Sequence, residues 1–452
     1  MNPSFGHIRK IYFLGIGGIG MSALARYFRR KGLSIQGYDK TPTTLTRQLE
    51  AEGMVIHYSD DISLIPPDID LIVYTPAVPE SLNEYKFLAS SGIRMIKRAL
   101  AVGELTEGRT TVAVAGTHGK TSISSLIAHI LIEAGRPVTA LIGGIARNYD
   151  SNMVTSGKEE IMVVEADEYD RSFLYLHPDI AVISAIDADH LDIYGSTGSL
   201  QQSFSEFAAH IKPGGMLALR EGIEVDLKST FETVTYSVEG NADISALNPV
   251  IREGRQRFDM SLNGRMVRDV ALRIPGRHNV ENAMAAAAVC VKLGVSPEQI
   301  AAAVSTFTGV TRRYDVRLDE PGPVYIDDYA HHPRELEAFI SAVRMMYPGK
   351  KLTGMFQPHL YSRTRDLADG FAQSLDLLDE AWLLDIYPAR ELPIPGVSSE
   401  MILEKMKLPH KKIVSREQAL QSLTENRPEI FLTIGAGDID LLVGKIEKIL
   451  RA

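Results

Sequence analysis

Thr110-Thr-Val-Ala-Val-Ala-Gly-Thr-His-Gly-Lys-Thr121 joins an apolar run of strand length to a glycine-rich loop that ends in Lys-Thr, with a helical pattern beyond it. In a strand, glycine loop and helix of this kind, backbone N–H groups and a helix N-terminus converge on phosphate. Lys120 supplies positive charge for the terminal phosphates of a nucleotide, and the Thr121 hydroxyl can coordinate Mg2+. Gly116, Thr117, His118, Gly119, Lys120, Thr121 and Ser122 are therefore the expected triphosphate-binding residues. Position 114, where the full phosphate-loop pattern has another glycine, is valine, so the loop is a variant. A glycine turn of purely structural purpose is the competing reading, and it leaves Lys-Thr at this junction unexplained.

Downstream, Ile161-Met-Val-Val-Glu165-Ala-Asp167-Glu168 places carboxylates at the C-terminal end of a second strand, where ligands gather in open α/β sheets. A nucleotide loop needs an acidic partner for its metal, which gives Glu165 a role; a solvated acidic loop is the alternative. Asp187-Ala-Asp189-His190-Leu-Asp192 follows the strand Ile180–Ser184 in the same way, and His190 either ligates a metal or caps a helix.

Upstream, the apolar strand Ile8–Ile16 runs into Gly15-Ile-Gly17-Gly18-Ile-Gly20, followed by a helix from about Met21 to Lys31 and a strand Ser34–Asp39. G-x-G-x-x-G with an acidic residue at Asp39 is the dinucleotide fingerprint, and alone it supports an NAD-linked dehydrogenase. Its physical content is narrower: a diphosphate can approach the backbone there, and a diphosphate-sugar nucleotide meets that condition equally.

Further strands at Leu71–Thr75 and Ile93–Ile96 continue the β/α alternation, which implies a parallel sheet. The rhythm restarts at Thr110, becomes β-rich over residues 232–274, and restarts again at Val324–Asp328 after Asp315–Pro323, a stretch of charge and turn residues. At 452 residues the chain exceeds one core, and these breaks divide it into three α/β domains, 1–107, 108–318 and 319–452. In the last of them, Asp327-Asp328-Tyr-Ala-His331-His332-Pro333 and Gln357-Pro-His359-Leu-Tyr-Ser-Arg363-Thr-Arg365 put polar groups after strands; a surface feature is the plain alternative for each.

A net charge of -9 argues against a nucleic-acid surface, which needs a basic face. The lone Cys290, in Ala283–Val291, reads as a buried helical thiol. No stretch approaches about 18 apolar residues, so a cytoplasmic protein without membrane insertion is expected.

Taken in order, the Gly15–Gly20 loop, the Gly116–Thr121 loop, Glu165-Ala-Asp-Glu168, Asp189-His190, His278-Asn279-Val-Glu-Asn282, Asp327–Pro333 and Gly435–Asp438 resemble the Mur ligases over nearly the whole chain. The resemblance implies a Rossmann-like N-terminal domain for a UDP-sugar, a central P-loop ATPase α/β domain, and a Rossmann-like C-terminal domain that closes over an amino acid. It implies ATP-dependent ligation of L-alanine to the lactyl carboxylate of UDP-N-acetylmuramate through an acyl phosphate, in peptidoglycan precursor synthesis. A branch that attaches a ready-made tripeptide shares most of these motifs and is the alternative. By resemblance, Lys120 binds the β- and γ-phosphates, Thr121 and Glu165 hold one Mg2+, and His190 helps hold a second. Asn279 and Asn282 recognise adenine, Arg313 and Asp328 contact nucleotide, and His331 and Arg363 face the substrate carboxylate and the developing phosphate. Gly17, Gly18, Ile19, Gly20, Asp39, Thr75, Pro76 and Ala77 hold the UDP-sugar. Leu360 stands where many relatives carry Arg. A monomer or homodimer is expected.

Overall fold

Apolar strands alternating with amphipathic helices form three sheets in the computed structural model, which describes residues 5–157, 159–187, 194, 196–227, 231–319, 321–389 and 391–452. They fall into two compact units. One comprises residues up to Leu247 with Asp259–Val270 and Glu281–Phe307; the other comprises Asn248–Phe258, Ala271–Val280 and Thr308–Ala452.

The N-terminal sheet contains β1 (Lys10–Leu14), β2 (Ser34–Tyr38), β3 (Val55–His57), β4 (Leu71–Tyr74) and β5 (Met95–Lys97), all parallel, in the order β3-β2-β1-β4-β5. Helices α1 (Ile19–Arg30), α2 (Thr44–Ala51), α3 (Asn83–Ser90) and α4 (Arg98–Thr106) connect them. The chain reverses its direction of travel across the sheet between β1 and β4, and open α/β sheets bind ligands at that switch point. The Gly15–Gly20 loop leaves β1 there, and Thr75 leaves β4 beside it.

The central sheet contains β6 (Thr110–Ala115), β7 (Val138–Ala146), β8 (Ser151–Thr155), β9 (Ile161–Glu165), β10 (Ile180–Ile183), β11 (Met216–Arg220), β12 (Glu232–Val238), β13 (Ile244–Arg252), β14 (Arg255–Leu262) and β15 (Arg265–Leu272). Its order is β15-β14-β13-β12-β11-β10-β6-β9-β7-β8, and β12 to β15 supply the β-rich stretch expected over 232–274. Strand β6 lies between β9 and β10, pairing Val114 with Glu165 and Ala115 with Ile183, and is covered on both faces. That burial is why the run is continuously apolar rather than alternating. Around the sheet run α5 (Lys120–Glu133), α6 (Thr197–Ala209), α7 (Arg277–Lys292) and α8 (Pro297–Thr306).

The C-terminal sheet has the order β16-β17-β21-β18-β19-β20, built from β16 (Asp315–Leu318), β17 (Val324–Asp328), β18 (Leu352–Phe356), β19 (Glu380–Leu383), β20 (Lys411–Ile413) and β21 (Ile430–Ile434). Its helices are α9 (Pro333–Met346), α10 (Tyr361–Leu375), α11 (Glu400–Lys405), α12 (Arg416–Glu425) and α13 (Asp440–Arg451). The first residues of the expected turn 315–323 are instead the strand β16, antiparallel to β17. Their charges are satisfied locally: Asp315 accepts from the Arg312 amide at 3.2 Å, and Arg317 donates to Glu447 on α13 at 2.8 Å. An edge strand carries such residues readily once they are paired.

Among the described residues, no helix is long and apolar enough to cross a membrane. Cys290 sits in α7 with no exposed surface, and burial pushes its thiol pKa up. A thiol reagent at pH 8 is expected to leave the native protein unlabelled over a time that fully labels the urea-unfolded chain. Native labelling at the rate of a free thiol would contradict this packing.

Candidate active site

Four residues separate the end of β6 from the start of α5, and the turn they make depends on two glycines. Gly116 (φ +135°) and Gly119 (φ +85°) occupy conformations that side chains rarely adopt, and a Cβ on Gly116 would lie 2.2 Å from Ser184 Oγ. Gly119 is the N-cap of α5 and no side chain caps that terminus, so its first-turn amides face the loop. The rest of the loop is pinned to the strand ends beside it. Thr117 N donates to Ala185 O at 3.0 Å, Thr117 Oγ1 accepts from Asp187 N at 3.1 Å, and Ser184 Oγ donates to the carbonyl oxygens of His118 and Ala115. His118 Nε2 lies 3.3 Å from Asp187 Oδ2.

Lys120 Nζ donates to both oxygens of Glu168, at 2.9 and 2.8 Å, and to Gly116 O at 2.7 Å. Burial opposes its charge, but the carboxylates of Glu168 and Asp167 outweigh that cost and hold its pKa above the ordinary lysine value. The lysine therefore stays cationic at the end of the loop. Glu165 ends β9 and is surrounded by donors: Thr121 Oγ1 at 3.2 Å, Ser124 Oγ at 3.2 Å and Gly143 N at 2.5 Å. Burial raises its pKa, and the Gly143 amide and Lys120 pull it back. A hydroxyl and a carboxylate side by side are hard oxygen donors, and they fit a magnesium ion. Asp189, His190 and Asp192 lie outside the described residues.

These groups line a cleft of about 320 Å³ shared with the N-terminal glycine loop: Gly18, Gly20, Thr75 and Arg98 on one side, Lys120 and Glu165 on the other. Gly17, Gly18, Ile19 and Gly20 lead into α1, whose N-cap Gly18 carries no side-chain cap. Asp39 braces this loop, accepting from Gly17 N at 2.8 Å and from Thr41 N at 3.2 Å. Thr75 Oγ1 accepts from Ala77 N at 3.4 Å, and Pro76 and Ala77 are exposed.

Arg98 was not among the residues expected from sequence. It is the first residue of α4, directly after β5, and its Nη1 lies 2.9 Å from where a Cβ on Gly20 would be. A cation at the C-terminal end of a parallel strand is the signal that marks it. Gly143, whose amide holds Glu165, carried no comparable signal. Asn282 belongs to the same unit; its Oδ1 lies 2.7 Å from where a Cβ on Gly119 would be, against the phosphate loop.

The second unit contains the remaining expected residues. Asp328 ends β17, and its carboxylate accepts from Tyr314 N at 2.7 Å and Ala330 N at 2.8 Å; burial pushes its pKa up to about 7. His331 Nδ1 lies 3.0 Å from Tyr329 O, which assigns the proton to Nδ1 and leaves Nε2 as the basic nitrogen. Burial lowers its pKa to about 4, and that of His278 likewise to about 4. Arg313 lies over the Tyr329 ring at 5.2 Å and 3.7 Å from Glu335. Arg363 stands in the first turn of α10, whose N-cap Leu360 has φ +70°, a strained setting for a non-glycine residue. Asn279 Nδ2 donates to Pro275 O at 2.8 Å.

A phosphate-gripping loop with a metal-suited carboxylate, facing a second glycine loop at a sheet switch point, defines an enzyme that moves phosphoryl groups between two anionic ligands. Family models match along the chain: Mur ligase family, catalytic domain, over residues 10–110; Mur ligase middle domain over 114–290; and Mur ligase, glutamate ligase domain over 312–437. The chain is similar to the UDP-N-acetylmuramate--L-alanine ligase of Flavobacterium johnsoniae, at 46% identity over 448 residues and 98% of each chain. It is similar to that of Parabacteroides distasonis at 47% identity over 450 residues, 98% of this chain and 97% of the other. Among solved structures, the UDP-N-acetylmuramate-alanine ligase of Thermotoga maritima superposes with a TM-score of 0.83 at 27% identity, covering 98% of this chain and 99% of that one. A murein peptide ligase from Psychrobacter arcticus shares the fold, with a TM-score of 0.72 at 23% identity over 98% of both chains. The chain belongs to the Mur ligase family.

The histidines give a direct check on the second unit. Their folded pKa values lie below the unfolded value near 6.5, so each favours folding above that pH and loses the contribution as pH falls toward about 4. Asp328 works in the opposite sense, favouring the folded state increasingly as pH falls below about 7. The two effects offset one another in overall stability, so the rings themselves must be observed. The imidazole NMR shifts of His278 and His331 are expected to stay constant from pH 8 down to about 5.5; a midpoint near 6.5 for either would contradict its burial.

Proposed function

We propose that this chain is an ATP-dependent ligase that joins L-alanine to the lactyl carboxylate of UDP-N-acetylmuramate, giving ADP and phosphate, in cytoplasmic synthesis of peptidoglycan precursors. The observation that carries this reading is the cleft lined by Gly18 and Gly20 of the first glycine loop together with Lys120, which follows the second loop, and Glu165. A dehydrogenase has no use for the second loop. The named relatives at 46% and 47% identity support alanine over a tripeptide as the incoming group.

In this reading residues 1–107 bind the UDP-sugar through Gly17, Gly18, Ile19, Gly20, Asp39, Thr75, Pro76 and Ala77, and Arg98 adds a cation at the same cleft. Residues 108–318 bind ATP through Gly116–Ser122, with Asn279 and Asn282 toward adenine. Residues 319–452 serve the amino acid, with His331 and Arg363 toward the substrate carboxylate and the developing phosphate, and Arg313 and Asp328 contact the nucleotide.

A carboxylate is a poor electrophile, so it must be activated before an amine can attack. The carboxylate oxygen takes the γ-phosphoryl group, ADP leaves, and an acyl phosphate results. The amine of alanine attacks the carbonyl, and the tetrahedral intermediate expels phosphate and leaves the amide. Lys120 offsets the charge spreading over the transferred group, and the α5 amides add fixed dipoles. Thr121 and Glu165 would hold Mg2+, with His190 contributing to a second ion; bound metal supplies further charge neutralisation. The alanine ammonium must lose a proton. His331, neutral with Nε2 basic at physiological pH, can accept it, although its lowered pKa makes it a weak base.

ADP release measured with UDP-N-acetylmuramate and L-alanine is expected to exceed that with the tripeptide; release with the tripeptide alone would overturn the alanine assignment. Lys120→Ala is expected to cut kcat by at least about a hundredfold while leaving circular dichroism unchanged. A fully active variant would remove the phosphate loop from the mechanism.

A further inference from the structure

Helix α1 begins in the loop assigned to the UDP-sugar diphosphate, and one side chain of the neighbouring sheet holds it in place. Asn152, on β8, has no exposed surface. Its Nδ2 donates to Ile19 O at 2.7 Å and to Ser22 Oγ at 2.8 Å, and its Oδ1 accepts from Arg26 Nη1 at 2.5 Å. Residues 19, 22 and 26 share one face of α1, so a single amide reads two turns of the helix. The partners fix the orientation of that amide: a carbonyl only accepts and a guanidinium only donates. Arg26 is itself 6% exposed, with Nε at 3.0 Å and Nη2 at 2.6 Å from Glu52 beyond the end of α2.

The other side of the connection leads to the phosphoryl-transfer site. Strand β8 pairs with β7, and β7 pairs with β9. The Gly143 amide of β7 holds the Glu165 carboxylate at 2.5 Å, and Glu165 is the last residue of β9. Asn152 thus connects Ile19, next to Gly18 and Gly20 in the cleft, to the strands that carry Glu165. Apolar contact alone would hold α1 against the sheet, but it would tolerate sliding along the helix axis. Three directional bonds in a dry interface admit one register.

We propose that Asn152 is a positioning residue that sets the distance between the diphosphate loop and the phosphate loop, acting through Ile19, Ser22 and Arg26. It delivers the acceptor carboxylate in line with the group to be transferred. Displacement of reacting atoms by about 1 Å can cost about a hundredfold in rate, whereas each ligand touches only one side of the connection and binds as before. The inference rests on the ligase reading and concerns the spacing of its two loops.

The test uses the full-length enzyme and the variants Asn152→Leu, which keeps the branched shape and removes the hydrogen bonds, and Asn152→Asp, which turns a carboxylate oxygen toward Ile19 O. For both, kcat with UDP-N-acetylmuramate, L-alanine and ATP is expected to fall by about tenfold to a hundredfold. Calorimetric Kd values for UDP-N-acetylmuramate and for ADP should stay within about twofold of wild type. Ser22→Ala, which deletes one of the three bonds and leaves the helix intact, is expected to lower kcat in the same direction by a smaller factor, and it decides the matter if the Asn152 variants do not fold. An unchanged kcat in a folded Asn152→Leu or in Ser22→Ala overturns the inference, as does a loss that lies wholly in weaker UDP-sugar binding. Wild-type protein that releases no ADP with these substrates would instead count against the ligase reading.

Discussion

The Glu165 carboxylate is the point on which the rest of the site depends. It is half-buried at the end of β9 and accepts hydrogen bonds from α5 through Thr121 and Ser124 and from β7 through Gly143. A carboxylate withdrawn from water is costly unless donors surround it, and these come from two separate elements, α5 and β7, that the central sheet brings together. The arrangement places the phosphate loop, the metal-suited oxygens and the strand facing the N-terminal domain in one rigid group. Lys120, paired with Glu168, adds the cation that makes the same spot attractive to a polyphosphate.

Much of this was legible in the sequence, and the reason is physical. Both glycine loops follow strands, and glycine at such junctions is demanded by backbone conformation, so Gly15–Gly20 and Gly116–Thr121 marked themselves. Strand β6 was readable because burial on both faces leaves an unbroken apolar run. The residues that escaped notice work through partners distant in the chain. Asn152 reaches Arg26 across 126 positions, and Gly143 reaches Glu165 by backbone alone. Neither leaves a local pattern. Strand β16 was hidden for the opposite reason: its charges suggested a turn, while Arg312 and Glu447 in fact satisfy them. Asp39, read as the acidic residue of the fingerprint, serves the loop itself by bracing Gly17.

The second unit shows how one environment sets two protonation states. Burial lifts Asp328 to about 7 and depresses His331 to about 4, so near neutral pH the imidazole is uncharged and the carboxylate is poised between its forms. Arg313 and Arg363 supply positive charge to the same unit and lower the His331 pKa further.

The central claim is that the two loops pass a phosphoryl group to a carboxylate, and the fate of the carboxylate oxygens tests it most directly. UDP-N-acetylmuramate carrying heavy oxygen in its lactyl carboxylate is turned over with ATP and L-alanine, and the phosphate released is examined by mass spectrometry. An acyl phosphate transfers one labelled oxygen into each phosphate. Phosphate free of label, with amide still formed, would contradict activation at the phosphate loop.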